Sequence, residues 1–177
     1  MKYVLLLRGI NVGGKNKVSM PELKDKISNV GYENVISYIN SGNIIFDTTD
    51  SIDTVNQSIS KILYTYPFKI NKVILSRSEY LEELENLPSW WFNDSYRKDV
   101  LFYTNEIDYS FMRARIEQMP LLDEAVHFGK NAVFWGKYNE NSYLKTSYHK
   151  YLIKESFYKS VTIRNSRTFE KIADLLK

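Results

Sequence analysis

The 177-residue sequence contains no cysteine. This absence excludes disulfide bonds, thiolate metal sites, iron–sulfur clusters and thiol nucleophiles together. With only two histidines, His127 and His149, a zinc site would need mostly carboxylate ligands, which is uncommon. The longest apolar run near the start, at 4–7, is too short for the core of a signal peptide or for a membrane span. We therefore expect a cytoplasmic protein with no metal site and no membrane partner, and the sequence identifies no cofactor.

The composition is that of a folded protein. Apolar residues make up 44% and charged residues 25% of the chain, which is too apolar for a disordered protein. The net charge of +3 is unevenly distributed, since residues 1–18 and 140–177 are basic and residues 79–94 carry five acids and no base. Two interpretations stay open: solvated faces that attract one another, or a nucleic-acid partner for the basic chain ends.

The first 77 residues predict the order strand, helix, strand, strand, helix, strand. The first helix begins at the capping box Ser19-x-x-Glu22 and stops at Gly31, and Asp50 or Ser51 caps the second. The strands are apolar runs at 3–7, 35–40, 44–47 and 70–75. This order is the split βαβ, ferredoxin-like arrangement.

The same order is predicted again in the second half. A connecting helix at 79–87 leads into it, and we interpret the acidic side of this helix as a solvated face. An aromatic linker that contains Trp90 and Trp91 follows the helix. Its strands are expected at 100–104, 125–128, 132–135 and 161–164, with helices after Asp108, at 144–157 and after Asn165 or Ser166.

The predicted fold class is therefore α+β, with two ferredoxin-like halves, antiparallel sheets and helices on one face of each sheet. The halves are 1–77 and 99–177, joined by the connecting segment 78–98, and the second half ends in an extra C-terminal helix. A half of about 75 residues has a thin core on its own. We therefore expect the halves to pack together as one unit.

The first candidate site is the glycine-rich loop from Arg8 to Lys15. Gly9, Gly14 and Lys15 match the spacing of a phosphate-binding loop, G-x-x-x-x-G-K, but Asn16 stands where that motif has Ser or Thr. The predicted antiparallel sheet also argues against a nucleotide triphosphatase. Glycine amides beside cations still favour an anion.

Topology places the end of the first strand beside the first hairpin turn, on one edge of the sheet. A phosphate or carboxylate would suit the cationic and amide groups of this edge. The alternative is that Asn and Gly only satisfy two demanding turns, while Arg8 pairs with an acid. The residues predicted to bind a ligand here are Arg8, Asn11, Gly13, Gly14, Lys15, Asn40, Ser41 and Asn43.

A second cluster lies at the start of the last helix. Arg164 and Asn165 are candidate anion ligands there, but Asn165 also fits a plain helix cap and Arg164 a bridge between the halves. The sequence leaves open whether they reach the first-half site. Aromatic residues on two strands, Phe102, Tyr103, Phe134 and Trp135, fit packing between the halves or, alternatively, the stacking of RNA bases.

Three polar stretches resemble the signatures of an uncharacterised bacterial family known as domain of unknown function 1697. They are Leu7-Arg8-Gly9-Ile10-Asn11-Val12-Gly13-Gly14-Lys15, Tyr38-Ile39-Asn40-Ser41-Gly42-Asn43 and Thr162-Ile163-Arg164-Asn165-Ser166-Arg167-Thr168. The resemblance implies a cytoplasmic protein with two related ferredoxin-like halves, and no established activity. Asn40 replaces the usual Gln of the family, and Ser166 its usual Trp.

The leading hypothesis is the binding of a small anionic ligand at the Arg8–Lys15 loop and the Asn40–Asn43 turn. The alternatives are nucleic-acid binding through the basic chain ends and a structural or protein-partner role, which predicts an exposed apolar patch near Trp90 or Trp91. No triad spacing surrounds either histidine, so no catalytic residue is assigned. Whether the protein is an enzyme, and its oligomeric state, stay open.

Overall fold

Two four-stranded antiparallel sheets organise the chain, as the sequence predicted. The computed structural model describes residues 1–104 and 106–177. The chain divides into two compact units, Met1–Leu81 with Ile172–Lys177, and Glu82–Lys171. The strand orders are β2-β3-β1-β4 in the first sheet and β6-β7-β5-β8 in the second. Both are the order of a ferredoxin-like unit, so the predicted α+β fold class is confirmed.

The first sheet has its helices over one face. Its elements are β1 (Lys2–Leu7), α1 (Met20–Asn29), β2 (Glu33–Tyr38), β3 (Asn43–Asp47), α2 (Ile52–Leu63) and β4 (Lys72–Ser76). Tyr3, Leu5 and Leu7 of β1 pack with buried residues of α1 and α2 in one core. Val4 and Leu6, which point to the opposite face, are also fully buried. Burial of both faces explains why β1 is continuously apolar rather than alternating.

The predicted helix caps of the first unit are present. Ser19 Oγ accepts a hydrogen bond from the Glu22 amide at 3.3 Å, and Ser51 Oγ accepts one from the Thr54 amide. These hydroxyls satisfy amides that have no partner within the helix. Each helix therefore begins directly after its capping serine, Ser19 or Ser51.

The second unit repeats this plan. Its elements are α3 (Arg77–Glu85), which enters from the first unit, β5 (Arg97–Tyr103), α4 (Tyr109–Glu117), β6 (Glu124–Phe128), β7 (Ala132–Lys137), α5 (Ser147–Lys150), β8 (Val161–Asn165) and α6 (Ser166–Leu176), whose residues from Ile172 onward belong to the first unit. Between α3 and β5, Trp91 is buried and its Nε1 donates to Glu170 Oε1 at 3.0 Å. Trp91 therefore anchors the aromatic linker.

The predicted helix at 144–157 is wrong. The chain forms four short pieces instead, the 3₁₀ turns Tyr143–Lys145, Leu152–Lys154 and Ser156–Ser160 and the four-residue α5. The Glu124 carboxylate accepts from the amides of Ser147 and Tyr148 at 2.9 and 3.1 Å. An acceptor from another element therefore satisfies the amides at which α5 begins.

The alternative interpretation of the aromatic strand residues as an RNA-stacking platform is also wrong for three of the four residues. Phe102, Phe134 and Trp135 are fully buried. Phe102 and Phe134 pack against Phe169 with ring centroids 6.2 and 5.6 Å apart, and Trp135 packs against Tyr148. A base cannot stack on a ring that the protein already covers.

The acidic helix α3 is not simply a solvated face. Glu83 is only 2% exposed, and its carboxylate accepts hydrogen bonds from the amide and the side chain of Asn131. Glu79 accepts from the Ser76 amide at 2.8 Å and so caps the helix. Burial raises the pKa of Glu83, while the hydrogen bonds from Asn131 oppose the rise. Glu83 therefore ties α3 to the turn between β6 and β7.

We expect Glu83→Gln to flatten the dependence of stability on pH. Because the folded pKa of Glu83 lies above its ordinary value of 4.5, the folded protein binds this proton more tightly than the unfolded chain. Stability therefore falls as pH rises from 4.5 through the raised pKa, and Gln, which keeps the acceptor oxygen, removes that fall. Urea unfolding across pH 4–8 measures it. Glu82→Gln, at an exposed ion pair with Lys130, is the control, and an equal flattening there would contradict the assignment.

Candidate functional site

The glycine-rich loop folds as a small β-hairpin. Val12 and Lys15 form an antiparallel bridge, and the Lys15 amide donates to the Val12 carbonyl at 3.0 Å. Gly13 and Gly14 lie between them with φ of +56° and +73°, the conformation of a two-residue type I′ turn. We call residues 11–16 the hairpin.

The hairpin accounts for the resemblance in spacing to a phosphate-binding loop. Its glycines serve the turn, and α1 begins only at Met20. The strand before the loop belongs to an antiparallel sheet. The loop therefore lacks the helix N-terminus and parallel sheet of a nucleotide triphosphatase, as the sequence analysis expected.

Asn11 anchors the hairpin. Its Oδ1 accepts from the Val18 amide at 2.9 Å, and its Nδ2 donates to the carbonyls of Val18 and Asn40 at 3.0 and 2.8 Å. Its φ of +55° is one that asparagine tolerates better than most residues. Both amide hydrogens are used, so Asn11 acts on a ligand by positioning the hairpin. The bond to Asn40 also confirms that the two predicted loops are neighbours.

The turn 40–43 is held in the same way. The Leu7 amide donates to the Gly42 carbonyl at 2.8 Å. Asn43 is 1% exposed, and its Nδ2 donates to the Tyr38 carbonyl and Ser41 Oγ at 2.9 and 3.0 Å. Asn40 is exposed and Ser41 half-buried. Asn43 therefore shapes the turn, and Asn40 and Ser41 present its polar groups.

Ile39 has a strained backbone beside this turn. Its φ is +50° although its side chain is β-branched, a combination that costs on the order of 1–2 kcal/mol. Half of its surface is exposed. Core packing therefore does not explain the strain, and residues in such conformations cluster at functional sites.

A third side of this edge is visible only in the structure. Leu7 of β1 pairs with Lys72 of β4, and the Arg8 amide donates to the Asn71 carbonyl at 2.9 Å. We call residues 8–18, 39–43 and 69–72 the basic edge. They contain no Asp or Glu and no aromatic residue. Their cations are Arg8, Lys15, Lys17, Lys69 and Lys72.

Exposure differs along the basic edge. Arg8 is half-buried at the base of the hairpin, whereas residues 12–17 are all exposed. Within residues 1–104 and 106–177, nothing accepts a hydrogen bond from the amides of Gly13 and Gly14. The edge thus presents exposed cations and open amides, the donors that an anion requires.

Arg164 and Asn165 lie in the second unit. Arg164 is 6% exposed, and its Nη1 donates to Thr162 Oγ1 and to the Ile163 carbonyl at 2.9 and 2.8 Å. Asn165 Oδ1 accepts from the Thr168 amide at 2.8 Å, so it caps α6. The cap interpretation is confirmed, and a ligand role for these two residues stays a prediction.

A buried ion pair in the second unit was also missed. The side chains of Lys137 and Asp99 are both fully buried, and Lys137 Nζ donates to Asp99 Oδ2. Arg97 Nε lies 3.1 Å from the same carboxylate oxygen. Lys137 Nζ stands 3.4 Å from the centre of the Tyr148 ring. The signal in the sequence is a lysine two residues after the apolar run 132–135, but that run alone predicts a strand that ends at Trp135.

Burial lowers the pKa of Lys137 to about 8, although Asp99 favours its charged form. Burial also lowers the pKa of the neighbouring His149. Shifts of this kind often mark active sites. Here no substrate reaches the fully buried amine, so we interpret the cluster as a structural one that holds α5 against the sheet.

We expect Asn11→Ala to destabilise the protein by about 2 kcal/mol, because three hydrogen bonds worth about 0.5–1.5 kcal/mol each are lost. Urea unfolding measures the change. Asn16→Ala is the matched control, since Asn16 also has a positive φ but makes one side-chain bond, to the Gly9 carbonyl. Equal losses in the two variants would contradict the anchoring role of Asn11.

Two further properties can be read from the described residues. Among residues 1–104 and 106–177, no group of three or more His, Asp or Glu side chains could hold a metal ion. No helix in this part of the chain is long and apolar enough to cross a membrane.

The fold defines an α+β protein of two ferredoxin-like units, one of which carries a basic edge. A sequence model of the family described as "Protein of unknown function (DUF1697)" matches residues 1–134. The chain belongs to this family, as the three signature stretches indicated. It is similar to a solved conserved bacterial protein from Streptococcus pneumoniae, with 50% identity and a TM-score of 0.95 over 99% of this chain and 98% of that one. No curated protein matches the chain.

Proposed function

We propose that the protein binds an anionic ligand, through a phosphate or a carboxylate group, at the corner formed by the hairpin and the turn 40–43. We further propose that it does so in the cytoplasm, as the family resemblance implied. The observation that carries the proposal is the 2.8 Å hydrogen bond from Asn11 to the Asn40 carbonyl. It fixes the open amides and cations of one loop beside the polar side chains of the other.

Each residue has a distinct role in this proposal. Lys15 supplies an exposed cation, and the amides of Gly13 and Gly14 complete the donor set. Arg8 acts as the clamp, because its planar guanidinium can hold two oxygens at once. Asn40 and Ser41 contact the rest of the ligand.

Two of the predicted ligand contacts have a positioning role instead, and two others stay predictions. Asn11 and Asn43 position the loops, since their amide hydrogens bond to the protein itself. Arg164 and Asn165 remain predicted contacts of the second unit. We assign no reaction and no catalytic residue.

Thermal unfolding with added inorganic phosphate or pyrophosphate tests the proposal. At a ligand concentration of ten times Kd, we expect stabilisation by about 1.4 kcal/mol, or about 3–6 °C in melting temperature for a chain of this length. Lys15→Ala should weaken binding about tenfold, because it removes a charge-assisted hydrogen bond. Arg8→Ala should weaken it at least as much.

Lys2→Ala is the control. Lys2 begins β1, whereas the basic edge follows its last residue, and a six-residue strand spans about 17 Å. That distance exceeds the screening length of about 8–10 Å in physiological salt. We expect an affinity within about twofold of the parent protein. If Lys15→Ala and Lys2→Ala reduce the stabilisation by phosphate equally, that result would contradict the proposed position of the site.

A further inference from the structure

We propose that the anion recognised at the basic edge is the phosphate backbone of double-stranded nucleic acid, and that the hairpin enters one of its grooves. This inference rests on the proposed anion binding and names the ligand class of that site. It differs from the sequence-based alternative of binding through both chain ends, because it assigns the contact to one edge of the first unit.

The shape of the site favours a partner that is itself concave. Six consecutive residues, 12–17, are exposed, so the hairpin stands out from the sheet edge. Sites for small ligands are clefts that bury 70–90% of the ligand surface. A projecting hairpin encloses little of a small molecule, but it can itself be enclosed by a groove.

The dimensions of the hairpin fit the major groove. Each arm has two residues beside the two-residue turn, which gives a length of about 7 Å at ~3.3 Å per residue. The major groove is about 12 Å wide and about 8.5 Å deep and admits a two-stranded β-ribbon. The tip is slim, because a Cβ built on Gly13 or Gly14 would meet nothing within 4 Å.

The charge distribution supplies the affinity. Arg8 stands at the root of the hairpin, Lys15 and Lys17 lie on and beside it, and Lys72 begins the neighbouring strand. No acid lies in any of the three segments of the edge. Cations at the base of an inserted ribbon face the two phosphate backbones that border the groove, and such contacts provide most of the non-specific affinity.

The scarcity of aromatic side chains in these segments favours a duplex over a single strand. Proteins that bind single strands stack the bases on exposed aromatic rings. Residues 8–18, 39–43 and 69–72 contain no Phe, Tyr, Trp or His. The edge therefore offers phosphate contacts and a groove-sized projection but no stacking platform, and a duplex fits it better.

Fluorescence anisotropy with a labelled 20-base-pair DNA duplex and the matching single strand, across a potassium chloride series, tests the inference. The slope of log K against log salt should be about −0.9 for each phosphate contacted on the duplex. The double variant Lys15→Ala/Lys17→Ala should weaken duplex binding and make the slope shallower by about 1.8. The control Lys145→Ala/Lys150→Ala removes two exposed lysines outside the edge and should leave the slope unchanged.

Four other outcomes are informative. Equal changes in slope for both double variants would overturn the inference in favour of diffuse attraction, and tighter binding of the single strand would overturn the groove geometry. If inorganic phosphate stabilises the protein but the duplex does not bind, the inference fails and the proposed function stands. If neither binds, both fail.

Discussion

Replacing Asp99 with leucine is expected to destabilise the protein by about 3–5 kcal/mol. The substitution leaves Lys137, whose side chain is fully buried, without its carboxylate partner. Removing one member of a buried pair strands the other charge where water cannot solvate it, and such changes cost about that much. Equilibrium unfolding in urea, followed by circular dichroism at neutral pH, measures the loss. It is a large fraction of the 5–15 kcal/mol that stabilises a typical protein.

The double variant Asp99→Leu/Lys137→Met distinguishes the interaction between the two charges from the effect of each substitution alone. Because it removes both buried charges and leaves apolar side chains in their place, it should be more stable than Asp99→Leu alone. Lys137→Met alone should cost less than Asp99→Leu, since Arg97 stays beside the carboxylate. Lys130→Met, at an exposed pair with Glu82, controls for charge removal and should change stability by less than about 1 kcal/mol. Losses that simply add in the double variant would contradict a coupled pair.

Gly42→Ala is expected to cost about 2–4 kcal/mol and to abolish anion binding at the basic edge. A Cβ on Gly42 would lie 2.6 Å from Leu7 Cβ and 2.9 Å from Ile10 Cδ1, both in buried side chains. The φ of +83° adds strain for any residue with a side chain. Because Leu7 and Ile10 flank the start of the glycine-rich loop, the clash separates the two loops of the site.

Gly13→Ala is the matched control for Gly42→Ala. Its φ is also positive, at +56°, but a Cβ there would meet nothing within 4 Å. It should therefore cost only the conformational strain, on the order of 1 kcal/mol. Urea unfolding of the two variants compares steric clash with strain directly. A loss in Gly13→Ala as large as in Gly42→Ala would contradict the close approach of turn and loop.

The sequence predicted the fold well wherever a local signal agreed with the tertiary structure. The buried run of β1, the caps at Ser19 and Ser51 and the Asp108 cap, which accepts from the Phe111 amide at 3.0 Å, each specify their own elements. The helix expected at 144–157 is divided into short pieces, and at the start of α5 the free amides are satisfied by Glu124, a residue distant in sequence. Periodicity cannot reveal an acceptor that arrives from another strand.

The site could be predicted in outline but not in detail. Strand order alone placed the end of β1 beside the turn 40–43, and the same order places Lys72 on the other side of β1. Residue type did not reveal that the Asn11 side chain forms hydrogen bonds to the protein itself, since an asparagine in a polar loop can equally bind a ligand. The burial of Lys137 was hidden because its partner, Asp99, lies 38 residues earlier in the chain.

An NMR titration of the ¹⁵N-labelled protein with inorganic phosphate tests the central claim most directly. We predict saturable chemical-shift changes that are largest at the amides of Gly13 and Gly14 and that shrink in Lys15→Ala. A hydrogen bond to an anion shifts the resonance of the amide that donates it, so the largest changes locate the donors. Shifts that are absent from these amides while phosphate saturates another part of the protein would contradict the assignment of the basic edge as the anion site.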